Sequence, residues 1–157
     1  MRNSTIIFGG NTGIGYQIHR SLKKRGDKLI CMSRSNSNHN KKIKFEIGKD
    51  NSDELGKLIK HKFNYLIFSH RYRGLNPIEE YKVMVLEIEK ILDVLLPKFK
   101  KEASVVILGS NAYKYILEEQ SGSYHYVRGA INTLVKYLAV KYGQYHIRVN
   151  SVLPSTI

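Results

Sequence analysis

Six short apolar runs alternate with stretches of helical spacing along this chain. The runs at 4–8, 28–33, 43–47, 64–69, 104–109 and 147–152 read as strands, and the stretches at 13–25, 52–61, 78–100 and 122–143 read as helices. Strands rich in Ile, Val and Leu and separated by helices predict a parallel sheet with crossover helices, because both faces of such a sheet are covered. Pro97 and Gly143 stand near the ends of the last two helices, where each acts as a stop signal. The predicted architecture is a three-layer, doubly wound α/β sheet in one domain over residues 1–157. Ligands of such sheets bind beyond the carboxyl ends of the strands. The polar stretch Ser33–Lys42 is predicted as an exposed loop.

The junction of the first strand and first helix carries the most chemistry. Thr5-Ile6-Ile7-Phe8 runs into Gly9-Gly10-Asn11-Thr12-Gly13-Ile14-Gly15, and helical spacing follows at Tyr16, Ile18 and Leu22. Spaced glycines at the start of a helix present bare backbone N–H groups at its positive end, which suits a phosphate. Gly9 is expected to turn the chain, Gly13 to let a pyrophosphate approach, and Gly15 to let the helix pack on the sheet. A triphosphate-binding loop would place Lys-Ser or Lys-Thr after the last glycine, and Tyr16-Gln17 stands there instead. The expected ligand is a dinucleotide on a Rossmann-type domain.

Composition narrows this picture. The chain is 42% hydrophobic over 157 residues, enough for its own core, and contains no apolar stretch of membrane-spanning length. The N-terminal Met1-Arg2-Asn3-Ser4 shows no signal-peptide pattern, and the lone cysteine, Cys31, excludes an internal disulfide framework, so a cytoplasmic location is expected. The net charge of +13 raises nucleic acid as a partner. The lysines are spread over nearly every segment without an RNA-module motif. They read as a solvated basic surface that attracts phosphorylated ligands.

Two later segments add to the glycine loop. Residues 123–139 read Ser-Tyr-His-Tyr-Val-Arg-Gly-Ala-Ile-Asn-Thr-Leu-Val-Lys-Tyr-Leu-Ala, and 147–154 read Ile-Arg-Val-Asn-Ser-Val-Leu-Pro. With the Gly-x-x-x-Gly-Ile-Gly at 9–15, the chain resembles the short-chain dehydrogenase/reductase family from Ile6 to Ile157. That family carries a Tyr-x-x-x-Lys helix followed by an Ile-Arg-Val-Asn-x-Val-x-Pro-Gly strand end. The resemblance implies catalytic Asn, Ser, Tyr and Lys acting with a nicotinamide cofactor on a small carbonyl or alcohol substrate. In that chemistry tyrosine transfers a proton as hydride moves, and a neighbouring cation favours the ionised phenol.

Carried over by position, Tyr124 takes the tyrosine role and Arg128 stands for the lysine, four residues on and on the same helix face. Arginine supplies the charge but does not readily release a proton. Tyr137 and Lys141 also fit Tyr-x-x-x-Lys, about four turns further along the same helix, and are expected to be ordinary helix positions. Ser110, 14 residues before Tyr124, is the serine candidate, with Asn111 the alternative in strict spacing. Met84 occupies the asparagine position. The fourth strand ends Phe68-Ser69-His70-Arg71 where the family has Asn-Asn-Ala-Gly, and Phe8 stands where threonine is usual. His70 reads either as a ribose or substrate contact or as a loop residue without a role.

The second strand ends in Ser33-Arg34 rather than an acidic residue. Guanidinium pairs well with phosphate oxygens, so the expected cofactor is NADP(H), with NAD(H) the alternative. Glu46 and Ile47 match the place where the family's Asp-Val borders the adenine. By the same resemblance Ser69, Tyr124, Arg128, Pro154 and Ile157 complete the expected cofactor contacts, with Arg128 reaching a ribose hydroxyl. By resemblance, the helices at 78–100 and 122–143 would build a homo-dimer or homo-tetramer. The family's substrate lid and seventh strand are expected to be missing, since the chain reaches only Ile157. A non-catalytic nucleotide-binding or scaffold protein that keeps the fold is the second reading.

Overall fold

The computed structural model describes residues 2–34 and 42–155. Among these, β1 (Ser4–Phe8), β2 (Lys28–Ser33), β3 (Lys42–Lys44), β4 (Phe63–Phe68), β5 (Phe99–Leu108) and β6 (Arg148–Val152) form one sheet in the order β3-β2-β1-β4-β5-β6. Every neighbouring pair is parallel. The order reverses direction between β1 and β4, and such a switch opens a crevice at the carboxyl ends of the strands. All five residues of β1 are buried, as a central strand covered on both faces requires.

Helices cover the two faces unequally. On one side α1 (Gly13–Lys24) lays Ile18 and Leu22 over Ile7, Cys31 and Ile67. On the other, α2 (Leu55–Leu58), α4 (Glu87–Leu95) and α5 (Gly122–Gly143) pack on the alternate residues of the same strands. There Ile6, Phe8, Leu66, Phe68, Val105 and Ile107 meet Ile88, Leu92, Val127, Ile131 and Leu138. Burying each such side chain contributes about 1.5–3 kcal/mol, so this larger core dominates the stability. Alternation along β1 sends Ile7 to one face and Ile6 and Phe8 to the other.

Most element boundaries agree with the periodicity, and four differ. The strand expected at 43–47 is Lys42–Lys44, because the chain turns at 46–50 around Gly48, whose φ is +85°. Phe45 and Ile47 are apolar because they are buried beside that turn. The helix expected at 52–61 is a 3₁₀ turn at Ser52–Glu54 followed by the short α2. The helix expected at 78–100 divides into α3 (Pro77–Tyr81), a π-helical turn (Lys82–Leu86), α4 and a 3₁₀ turn (Leu96–Lys98). The fifth strand begins at Phe99 rather than 104. Phe99 pairs with Phe63, and the register shifts before Ser104 pairs with Tyr65, near Glu102, whose φ is +61°. Most of the predicted loop 33–42 lies outside the described residues.

Candidate active site

The carboxyl ends of the strands enclose a cleft of about 1170 Å³. Its floor is the loop between β1 and α1. Gly9 sits at φ +83°, and a Cβ there would come within 2.5 Å of the His70 backbone nitrogen, so the β4 loop closes directly against it. Gly15 lies behind the cleft: a Cβ would meet the Gly9 carbonyl oxygen at 2.3 Å and Ser69 Oγ at 2.5 Å. Its role is helix-to-sheet packing. Gly13 is the opposite case, with φ +55° and nothing within 4 Å of a Cβ, and it lines the cleft with Thr12 and Ile14. Thr12 at the N-cap has extended backbone and no side-chain cap bond, so the first-turn amides have no acceptor within the helix. Open space against bare amides and a helix start fits a phosphate group.

Hydrogen bonds fasten this floor to the neighbouring strands. Gly9 N–H donates to the Met32 carbonyl at 3.0 Å, and Ser69 donates to the Phe8 carbonyl through its N–H at 2.9 Å and its hydroxyl at 2.8 Å. Asn11 Nδ2 donates to Ser33 Oγ at 2.5 Å and ties the glycine loop to the end of β2. Ser33, Arg34, Glu46 and Ile47 form the wall on this side. Glu46 is paired with Lys49 at 3.1 Å.

The opposite wall carries Ser110, Tyr124, Arg128 and Pro154. Ser110 is buried after β5 and accepts the Ala112 N–H at 3.1 Å, which leaves its hydroxyl proton for a ligand. Asn111 instead reaches Ser155 Oγ at 3.0 Å and accounts for its place by holding the chain after β6. Tyr124 and Arg128 project from the first two turns of α5, which is capped by the Ser121 hydroxyl on Tyr124 N–H at 3.2 Å. The Arg128 guanidinium lies 4.5 Å from the Tyr124 ring centroid, and the residue is 4% exposed. Burial lowers its pKa from the usual arginine value, Tyr124 and Glu80 oppose that, and Arg71 adds to it.

His70 is half-buried beside this pair. Nε2 lies 3.2 Å from the Val83 carbonyl, which can only accept, so the proton is on Nε2 and Nδ1 is a free acceptor. Burial pushes its pKa down to about 4, against the Val83 hydrogen bond and with the Arg128 charge. Among the described residues, His70 Nδ1 and Arg128 Nε are buried polar atoms that find no partner, and both residues line the cleft. Such atoms carry a desolvation cost that a bound molecule would remove.

The structure therefore brings fourteen of the sequence-derived residues to one cleft: Gly9, Asn11, Thr12, Gly13, Ile14, Ser33, Arg34, Glu46, Ile47, Ser69, Ser110, Tyr124, Arg128 and Pro154. Ile157 lies outside the described residues. Met84 is 1% exposed in the core, and its neighbour Val83 lines the cleft in its place. Tyr137 lies away from the cleft, and Lys141 is paired with Glu89 and Asp93, as expected of ordinary helix positions. Arg71, Arg73 and Lys49 also line the cleft and were not singled out from the sequence. For Arg71 the signal was present as a charged residue where the family pattern has glycine. Among the described residues, no cluster has the makings of a metal site and no helix is long and apolar enough to cross a membrane.

Comparison with known proteins bears on the fold. Residues 88–157 match the family model described as enoyl-(acyl carrier protein) reductase. No curated protein matches the chain in sequence. Among solved structures, a short-chain dehydrogenase family protein from Francisella tularensis superposes with a TM-score of 0.85 at 24% identity, covering 99% of this chain and 70% of its own. Aldohexose dehydrogenase from Thermoplasma acidophilum gives 0.85 at 19% identity, covering 99% of this chain and 67% of its own. A short-chain dehydrogenase/reductase family oxidoreductase from Brucella ovis, solved with a partially ordered NAD, gives 0.80 at 19% identity, with 98% and 83% covered. The resemblance read from the motifs thus returns in the family model over the C-terminal part and in the fold over nearly all of the chain, which has the architecture of the short-chain dehydrogenases/reductases.

Proposed function

We propose that the cleft binds a pyridine dinucleotide, NADP(H) in preference to NAD(H), and that the chain interconverts a small-molecule carbonyl and its alcohol. The observation that carries this is the meeting of Ser110, Tyr124 and Arg128 with the glycine loop in one cleft. The loop amides and the start of α1 hold the linked phosphates. Ser33 and Arg34 face the adenosine 2′ position, where guanidinium suits a phosphate. Glu46 and Ile47 border the adenine, and Pro154 lies toward the nicotinamide end. The Brucella relative was solved with NAD, so cofactor preference here rests on the Ser33-Arg34 pair alone.

When bound, the nicotinamide supplies or receives the hydride. Tyr124 delivers the proton to the substrate oxygen, and Ser110 donates a hydrogen bond to that oxygen. Arg128, against the Tyr124 ring, stabilises the phenolate left behind; it acts as a fixed charge and not as a proton relay. No asparagine stands at the Met84 position, so this site works with three side chains. A homo-dimer or homo-tetramer built on the outer faces of α4 and α5, in the cytoplasm, completes the proposal.

Calorimetry with NADPH and NADH on wild type and Arg34→Ala tests cofactor binding. Arg34→Ala is expected to weaken NADPH about tenfold and leave NADH unchanged. Equal affinities in both proteins would remove the preference. In NADPH turnover with a ketone panel, Tyr124→Phe is expected to lower kcat at least about 100-fold. NADPH binding without turnover on any ketone would favour a nucleotide-binding protein that keeps only the fold.

A further inference from the structure

Two guanidiniums converge on the Tyr124 ring. Arg128 lies 4.5 Å from its centroid, and Arg71, from the loop after β4, lies 5.5 Å from it. Cation–π contact compensates each only in part and does nothing for their mutual repulsion. Among the described residues neither forms an ion pair, whereas the two carboxylates on the cleft wall are each matched to a lysine. Glu46 pairs with Lys49 at 3.1 Å and Glu79 with Lys82 at 3.8 Å. Glu80 favours the Arg128 charge from a distance, but its carboxylate accepts the Ser123 hydroxyl at 2.8 Å and lies beyond ion-pair reach of Arg128. Arg71 has one long contact, 3.4 Å to Gln120 Oε1. Arg128 is buried, and its Nε has no acceptor among the described residues.

Two cations set against one aromatic ring, one of them buried with an unused donor, are stabilised by an anion within reach of both. Guanidinium forks select oxyanions, which accept two parallel hydrogen bonds. We propose that Arg71 and Arg128 form an oxyanion seat beside Tyr124, so that the carbonyl compound turned over here carries a carboxylate or phosphate close to its reacting carbon. Arg71 is the specificity-determining residue. The proposal rests on the oxidoreductase reading for what the oxyanion is attached to, and on the two guanidiniums alone for where it sits.

Two pairs of probes that differ in charge but share a carbonyl test it: pyruvate against methyl pyruvate, and dihydroxyacetone phosphate against dihydroxyacetone. Binding to the full chain is followed by NMR through the arginine Nε–H signals, with and without NADPH, in wild type, Arg71→Gln and Arg71→Lys. At least one charged probe is expected to bind about tenfold more tightly than its neutral partner. Arg71→Gln abolishes that preference, Arg71→Lys keeps part of it, and NADPH affinity stays the same in all three proteins. The pair that shows the preference identifies carboxylate or phosphate. Charged and neutral probes binding alike in wild type would overturn the proposal, as would a preference that survives Arg71→Gln. Loss of NADPH binding in wild type with the charge preference intact would overturn the dinucleotide reading and leave the seat standing.

Discussion

Single glycines in this chain do opposite work, and Gly15 and Gly129 show how far apart the roles lie. A Cβ on Gly15 would run into a backbone carbonyl, the Gly9 oxygen at 2.3 Å, which cannot rotate away as a side chain end could. Gly15→Ala is therefore expected to cost about 1–3 kcal/mol through forced separation of α1 from the β1 loop. Gly129 lies inside α5 with right-handed backbone, and a Cβ added there would meet no atom within 4 Å. Gly129→Ala is expected to add about 0.5–1 kcal/mol by restricting the unfolded chain. Urea denaturation of both variants checks the pair: a fall in midpoint for Gly15→Ala and a rise for Gly129→Ala. Their spacing in a motif made Gly9, Gly13 and Gly15 legible in the sequence. So was the division of labour among them; what the β4 loop sets against Gly9 and Gly15, the His70 backbone and Ser69 Oγ, was not, because it depends on how that loop folds over the motif.

At the scale of elements, the least legible region was 78–100. Its apolar spacing reads as one helix, yet the chain passes through a π-helical turn at Lys82–Leu86. Periodicity cannot announce such a turn, since widening by one residue per turn shifts the face without changing composition. The turn sets Met84 into the core and leaves the Val83 carbonyl facing His70, which joins the β4 loop to this helical region. That contact predicts a pH dependence. His70 is neutral in the fold with its pKa pushed down to about 4 from 6.5, so the unfolded chain takes up a proton that the folded chain refuses. Stability is therefore complete above about pH 6.5 and falls as pH drops toward 4, by roughly 1–3 kcal/mol. His70→Gln, which keeps a donor for Val83 without titrating, is expected to flatten that slope between pH 7 and 5. Denaturation at closely spaced pH values measures it, and an unchanged slope would move the effect to other groups. Asp93, whose carboxyl is held low by Lys141 and Tyr142 despite the opposing effect of burial, acts below this window.

For the whole molecule, helix α5 presents two apolar stripes, and the sheet uses only one. Val127, Ile131, Leu134, Leu138 and Tyr142 are buried against the strands. Tyr126, Tyr137 and Val140 are 57%, 52% and 81% exposed, with spacings of 11 and 3 residues that keep them on one outward face. A helix apolar on both sides is normally covered on both sides. The homo-oligomer proposed from the family resemblance supplies that cover by setting α5 against its copy. Val140→Asp then places like charges at the centre of a symmetric contact, where residue and copy meet. Sedimentation of the wild type is expected to give a dimer or larger species and Val140→Asp a monomer. Because Val140 touches neither the cleft nor the sheet core, NADPH affinity per chain should be the same in both. A wild type that sediments as a monomer at high concentration would leave the stripe to a different partner.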